Sequence, residues 1–275
     1  MLRLQVLRSS SRGSATLLWD EQTALMIDCG IGPRVADRML EAVGMTLRDL
    51  DCVLITHSHQ DHAKPSMVLA FARAGVRVFC PPGVKAALLS RESGSARQAV
   101  ARAARTVSGK AAFRVGTVTV KPFQTEHDSQ GGSLGYCVCA RDQGRSAKVS
   151  LVTDFAPLKA AALRHLRNSD VLLISSDHDP VLLDQYPIPE EIKEFHIRAY
   201  HPSNQQCADT VVDVLRKSRR LPQLVALMHI SEYFNTRQKA VRCTRRTLRK
   251  ARFGKVKVIA AGRLEATKVF QVEGS

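Results

Sequence analysis

Cys52-Val-Leu-Ile-Thr-His-Ser-His-Gln-Asp-His62 places four candidate metal ligands, His57, His59, Asp61 and His62, directly after a short apolar run. Residues 52–55 have the composition of a buried strand, and residues 56–62 form the loop that leaves it. A tight loop there can turn His57 and His59 toward one ion and Asp61 and His62 toward another. Neutral imidazoles suit zinc, manganese or iron, and the carboxylate adds negative charge and a hard oxygen. A single histidine would more often be a satisfied core or surface residue. Three with an aspartate at this spacing point to metal.

Upstream, the chain reads as strand, turn, strand, turn, strand: residues 2–7, a turn over 9–14, residues 15–19, then 23–27 ending at Asp28-Cys-Gly30. Val35, Met39, Leu40, Val43 and Met45 then recur at helical spacing. Downstream, Pro65 opens a helix to about Ala74, residues 77–80 form a short strand, and Pro81-Pro-Gly83 leads into another helix. From Val115 the period returns to two. Residues 117–120, 134–139, 149–153 and 171–174 read as strands, 205–216 and 238–252 as helices, and 224–228 and 256–260 as buried strands. The two halves share a strand-rich and then helical rhythm. Two packed sheets with helices outside, an αββα sandwich of the α/β class, accommodate that order best. Residues 186–200 are the longest stretch of low order and are expected to be a flap or insertion within one domain spanning residues 1–275.

The 275 residues are 44% hydrophobic and 24% charged, a balance that excludes a disordered chain. The N-terminus alternates like a strand rather than a secretory signal, and no apolar run of about 18 residues occurs, so a cytoplasmic protein without a membrane span is expected. Seven scattered cysteines suit reduced core thiols. Cys137 and Cys139 should share a strand face, but no second thiol pair completes a metal site. The formal net charge is +16, and residues 216–257 carry fourteen Lys and Arg against Glu232 alone. Such a field favours a polyanion, nucleic acid being the commonest, although a solvated helix face is the plainer reading. At 5% aromatic content, no extended base-stacking platform is evident.

The pattern HxHxDH at a strand end resembles the signature of the metallo-β-lactamase superfamily. The chain is more closely similar to its YycJ (WalJ)-like bacterial subgroup, hydrolases with nuclease activity. The carriers run nearly end to end: Ser9-Ser-Ser-Arg-Gly-Ser-Ala-Thr16, Ile27-Asp-Cys-Gly30, Thr56-His-Ser-His-Gln-Asp-His62, Glu126-His-Asp128, Thr153-Asp154, Ser176-Asp-His-Asp179, His201-Pro-Ser-Asn204 and His229-Ile-Ser-Glu-Tyr-Phe-Asn235. The resemblance implies the metallo-β-lactamase fold and two divalent ions, zinc or manganese with iron also suitable. It implies that His127 joins His57 and His59, that Asp154 reaches both ions, and that His229 closes the set begun by Asp61 and His62. Asp28 would support the histidine loop rather than bind metal. Departures occur at Ser175-Ser-Asp-His-Asp179, where the pattern has Glu-Ser-Asn-His-Asp, at Tyr200 in place of glycine, and at Arg12 and Ser14. None removes a ligand, and together they mark a divergent branch.

Further roles follow from position. His201, with Asn204, lies in a polar loop beyond the last strands and is expected to contact a scissile phosphate or protonate a leaving group, since its ordinary pKa lies near neutrality. Asp61 would also orient the attacking water, and His178 would support a neighbouring histidine. Arg12, Ser231 and Asn235 belong to loops at the mouth and are expected to meet substrate. The function expected is metal-dependent hydrolysis of a phosphodiester in DNA or RNA, by a phosphodiesterase or exonuclease. Hydrolysis of a small phosphodiester, lactone or thioester is the alternative, because a fold does not fix a function.

Overall fold

The computed structural model describes residues 1–142 and 144–274. β1 (Leu2–Ser10) and β2 (Gly13–Trp19) form a hairpin, and β2 pairs antiparallel with β3 (Ala24–Ile27). The hairpin turn is tighter than the expected turn over 9–14, because pairing continues through Ser9 with Ser14 and Ser10 with Gly13. β3 then runs parallel to β4 (Cys52–Leu54), followed by β5 (Arg77–Cys80) and β6 (Ala104–Thr106). Parallel neighbours require crossovers. Helices α1 (Pro33–Glu41), α2 (Pro65–Ala74), α3 (Pro82–Ser90) and α4 (Gly94–Ala103) supply them.

The second sheet follows the same plan. β7 (Phe113–Val115), β8 (Val118–Thr125), β9 (Ser133–Asp142) and β10 (Arg145–Val152) pair antiparallel in order, and β10 continues parallel into β11 (Val171–Ser175), β12 (Leu224–Met228) and β13 (Lys257–Ala260). Helices α5 (Ala160–Leu166), α6 (Pro180–Gln185), α7 (Glu190–Ile192), α8 (Asn204–Arg216) and α9 (Arg237–Lys250) lie in its crossovers. β14 (Phe270–Val272) returns to the first sheet beside β1.

Period-two patterning sets the layers. Leu4, Val6, Leu18 and Leu54 meet Val120, Tyr136, Val138 and Leu151 between the sheets. Leu17, Met26 and Val53 face Leu40 and Phe71 of the outer helices, while Leu172, Ile174 and Leu227 face Val211, Leu215 and Leu248. Each such buried side chain contributes about 1.5–3 kcal/mol relative to exposure. β11 and β12 are buried along their whole length because helices cover one face and the partner sheet the other, which is why they read as unbroken apolar runs. The architecture is therefore the expected αββα sandwich.

Two expectations change. The short marginal strands β6, β7 and β14 were not foreseen, since three residues at a sheet edge carry too little alternation to register. The stretch over 186–200 is ordered and largely helical, comprising α7 and a π-helical turn over Lys193–Arg198. Charge and burial both hold it: Arg198 pairs with Asp184, Glu190 and Glu194, Ile197 is buried, and the buried Lys193 amine donates to the Asp184 carbonyl at 2.9 Å. Pro187 and Pro189 hide this arrangement from a reading based on helix breakers. Among the described residues no helix is long and apolar enough to cross a membrane.

Candidate metal centre

The candidate ligands and the acidic residues beside them collect at one edge of the sandwich because each follows the C-terminal end of a strand. Asp28 follows β3, residues 57–62 follow β4, His127 follows β8, Asp154 follows β10, Asp177 follows β11 and His229 follows β12. Asp28, Asp154 and His229 have φ of 60°, 46° and 50°, in the left-handed region. Such positions cost about 1–3 kcal/mol for a non-glycine residue and persist where surroundings over-determine them. Here the turn swings each side chain off its strand toward a common point. Gly30 lets the loop close, since a Cβ there would lie 1.7 Å from the Asp61 carbonyl oxygen. The Ser14 N–H donates to that oxygen at 2.6 Å, and the Cys29 N–H to the His62 carbonyl at 2.7 Å.

Two corners result. The ligand atoms of His57, His59 and His127 lie within 4.8 Å of one another, as do those of Asp61, His62 and His229. Asp154 sits between them: its Oδ2 is 2.8 Å from His62 Nε2, its Oδ1 is 2.9 Å from His229 Nδ1, and it forms a further such group with His57 and His62. The inner imidazoles are held from behind. His62 Nδ1 lies 2.7 Å from Asp28, which also accepts from the Thr56 N–H and hydroxyl at 2.8 and 2.9 Å. His57 Nδ1 lies 2.9 Å from the Thr56 hydroxyl, and His229 Nδ1 lies 3.0 Å from Asp177.

The buried atoms that face the common point are unsatisfied. His57 Nε2, His62 Nε2 and Asp154 Oδ2 have no hydrogen-bond partner, and the 2.8 Å approach of the last two lacks hydrogen-bond geometry. Leaving such groups bare costs about 1–3 kcal/mol each. A divalent ion would satisfy them, and neutral imidazoles with a shared carboxylate are the donor set such ions take. The residues present therefore fit divalent metal.

The corners differ in charge. Burial, reinforced by His62, holds His57 well below the ordinary histidine value, and burial takes His127 down to about 3. Burial also opposes protonation of His62, but Asp28, Asp61 and Asp154 overcome it and push His62 up to about 10. His229 behaves alike: against the cost of burial, Asp154, Asp177 and Asp61 hold it well above the ordinary range. Asp154 is fully buried, yet His229 and His62 keep its pKa well below the usual carboxylate value.

His201 joins this assembly. Its Nδ1 is 3.1 Å from Asp154 and 3.7 Å from Asp177, and its side chain is 25% exposed, so it stands at the open rim. Against its burial, hydrogen bonds to Asp154 and Asp177 raise it to about 9. Arg12 is exposed on the β1–β2 turn and pairs with Glu232 at 2.6 Å. Asn204 and Asn235 lie deeper than their loop positions suggest. Both are buried, and their amides bond each other at 3.0 and 2.9 Å, with the Ser176 hydroxyl donating to Asn204 at 2.7 Å and Asn235 donating to the Ser176 carbonyl at 2.9 Å. That network occupies both amides. Ser231 is also buried, and its hydroxyl accepts from the Tyr233 N–H at 3.2 Å as a turn former. His178 is buried with Nδ1 unpaired, and it ties the 201–204 loop, its carbonyl accepting from the Asn204 N–H and its ring bonding the His201 backbone.

Asp177 and Thr56 are the residues that sequence reasoning passed over. Asp177 belongs with Asp154, His201 and His229 in a group whose ligand atoms lie within 4.8 Å. The available signal was its place just after β11, the position that Asp154 and His229 hold relative to β10 and β12. The cysteines are free, and Cys137 and Cys139 lie on β9, outside these groups.

A family model described as a β-lactamase superfamily domain matches residues 23–230. Exodeoxyribonuclease YycJ of Bacillus anthracis is 22% identical over 260 residues, covering 92% of this chain and 91% of that protein. Among solved structures, unliganded yeast PDE1 superposes with a TM-score of 0.72 at 12% identity, covering 98% of this chain and 99% of the other. The metallo-β-lactamase fold protein YhfI of Bacillus subtilis superposes with a TM-score of 0.67 at 13% identity, covering 98% of both chains.

Proposed function

The chain belongs to the metallo-β-lactamase superfamily, and from that membership we propose that it is a metal-dependent phosphodiesterase whose substrate is nucleic acid. The observation that carries the reading is the set of buried, unsatisfied nitrogen and oxygen atoms of His57, His62 and Asp154 between two ligand corners. His57, His59 and His127 would hold one divalent ion, Asp61, His62 and His229 the other, and Asp154 would touch both. Zinc or manganese would suit both places. Ions there would supply Lewis acidity and an acidified water. The protein's part is orientation. Asp28 and Asp177 fix the imidazoles of His62 and His229 through Nδ1, and Asp61, whose Oδ2 lies 3.1 Å from His229 Nε2, would complete the second corner and orient the attacking water. His201, at the rim and hydrogen-bonded through Nδ1, would hold a proton close to a departing oxygen.

The relative named exodeoxyribonuclease aligns along nearly the whole chain, and residues 216–257 add a concentrated positive field, both of which support a polyanionic substrate. The test is an assay of the zinc- or manganese-loaded protein on 5′- and 3′-labelled single- and double-stranded DNA and RNA beside bis-p-nitrophenyl phosphate. Cleavage of a nucleic acid that stops on chelation is the expected result. Turnover of the small diester alone would reject the nucleic-acid substrate, and cleavage that survives thorough chelation would reject the metal. His201→Ala should cut turnover while metal content stays normal; undiminished turnover would remove His201 from the reaction.

A further inference from the structure

We infer that the outward face of α9 is a docking track for the phosphate backbone of a nucleic-acid strand leading to the metal centre, an inference that rests on the phosphodiesterase reading. The helix, Arg-Gln-Lys-Ala-Val-Arg-Cys-Thr-Arg-Arg-Thr-Leu-Arg-Lys, contains no acidic residue. Ala240, Thr244 and Leu248 are its buried stripe, and the opposite face presents Arg242, Arg245, Arg246, Arg249 and Lys250, all exposed. In the first turn, charge is cancelled locally: Arg237 pairs with Glu265 at 2.5 Å and Lys239 with Asp179 at 3.3 Å. Among the described residues, the other five cations pair with no carboxylate. Arg245 donates to the Val258 carbonyl at 2.8 Å, which fixes its position without neutralising it.

This distribution is not what helix stability alone selects. Cations in the last turn complement the helix dipole, which accounts for Arg249 and Lys250. Arg242, Arg245 and Arg246 lie in the middle, where like charges three and four residues apart cost about 0.2–0.5 kcal/mol per pair. A polyanion laid along the face would reverse that repulsion.

Position links the face to the site. Asn235, bonded to Ser176 beside Asp177, immediately precedes Thr236, whose hydroxyl accepts from the Lys239 N–H and caps α9. The helix therefore starts at the edge that holds the ligands and runs back along the sandwich. At a rise of about 1.5 Å per residue, Arg242 and Lys250 lie ~9 and ~21 Å along the axis from Thr236. At about 3.4 Å per nucleotide, that spans roughly the third to the sixth nucleotide from the start of the helix. A lipid surface fits less well. The large exposed hydrophobic residues, such as Val181, Phe195, Tyr233 and Leu264, lie outside α9, so the basic face has no apolar side chain to insert beside its charges.

The experiment compares the protein with its R242Q/R246Q/R249Q variant. Binding is measured to a 20-nucleotide phosphorothioate DNA, which resists cleavage, across a salt series, and to phosphatidylserine–phosphatidylcholine vesicles. Bis-p-nitrophenyl phosphate hydrolysis is followed in parallel. The track predicts DNA affinity at least tenfold weaker in the variant and a log K against log salt slope shallower by about 2, three phosphates at ~0.7 each. Small-diester turnover should be unchanged. Equal DNA affinity and slope in the two proteins would overturn the inference, as would vesicle binding that the substitutions abolish while DNA binding persists. DNA binding that depends on these arginines in a protein hydrolysing no phosphodiester would uphold the track and reject the proposed reaction instead.

Discussion

The corner formed by His57, His59 and His127 and the corner formed by Asp61, His62 and His229 share one loop and one aspartate, yet they are electrostatic opposites. In the first, three imidazoles meet with carboxylate influence limited to Asp154 and, at His59, Asp61, and the support behind His57 is the neutral hydroxyl of Thr56. In the second, two imidazoles lie among Asp28, Asp61, Asp154 and Asp177. Burial alone would drive all of them neutral. It succeeds at His57 and His127 and fails at His62 and His229, where carboxylates outweigh it. A single sequence motif thus yields one site of neutral donors and one site rich in negative charge.

The largest effect is expected where the corners meet. Asp154→Asn keeps the shape of the shared ligand but removes its charge from both sides. Loss of several kcal/mol of charge stabilisation, at about 1.4 kcal/mol per tenfold, predicts a fall in turnover of roughly three orders of magnitude. Elemental analysis should show both metals depleted. Loss of one equivalent only would mean that Asp154 serves a single corner.

Proton release on loading reads the contrast directly. In the metal-free protein at pH 7, His57 and His127 sit below the solution pH and are neutral, so an ion entering their corner displaces no proton from them. His62, at about 10, and His229, held well above its ordinary value, are protonated and must give up protons to bind. Apparent affinity at the second corner should therefore rise with pH between 7 and 9, about tenfold per unit for each proton displaced, while the first stays nearly flat. Calorimetric zinc titrations in buffers of different ionisation enthalpy measure the release. Equal release at both steps would erase the distinction.

Changing the supports separates the corners more gently. Asp28→Asn and Asp177→Asn retain an acceptor for His62 and His229 Nδ1 but withdraw its charge. Each should weaken metal affinity about 10- to 100-fold, the effect usual for such supporting partners. The loss should fall on the Asp61–His62–His229 corner. Equal weakening at the His57 corner would show that the supports act through loop stability instead.

What could be read in the sequence follows from how local each signal is. The alternating and unbroken apolar runs announced most long strands, and four ligands in one loop announced the site. Asp154 and His229 stand alone in sequence and gained meaning only as part of an ordered set, each after its strand. Asp177 also follows a strand, but it lay in a segment valued for its departure from a pattern, and its contact with His229 spans 52 residues. The amides of Asn204 and Asn235 meet across 31 residues, and nothing local distinguishes a buried polar network from a substrate-facing pair. Their burial is set by pairing of the 201–204 loop with residues 177–178 after β11, which one-dimensional periodicity does not encode.

That network gives the smallest expected effect on the two corners. Asn235 donates to the Ser176 carbonyl and to Asn204, and its carbonyl accepts from Asn204 at 3.0 Å and from the Thr236 N–H at 2.8 Å. Asn235→Ala strands the Asn204 amide in a buried place, at a cost of about 1–3 kcal/mol. For a domain of this size each kcal/mol lowers the melting temperature by about 2–4 °C, so a fall of roughly 2–12 °C is expected by calorimetry. Because Ser176 adjoins Asp177, loosening there should reach the carboxylate-rich corner and leave the histidine-rich one untouched, with metal affinity at the former reduced less than in Asp177→Asn. If Asn235→Ala instead abolished turnover with melting temperature and metal content intact, the amide would have to reach substrate, and the buried pairing with Asn204 would have to open during the reaction.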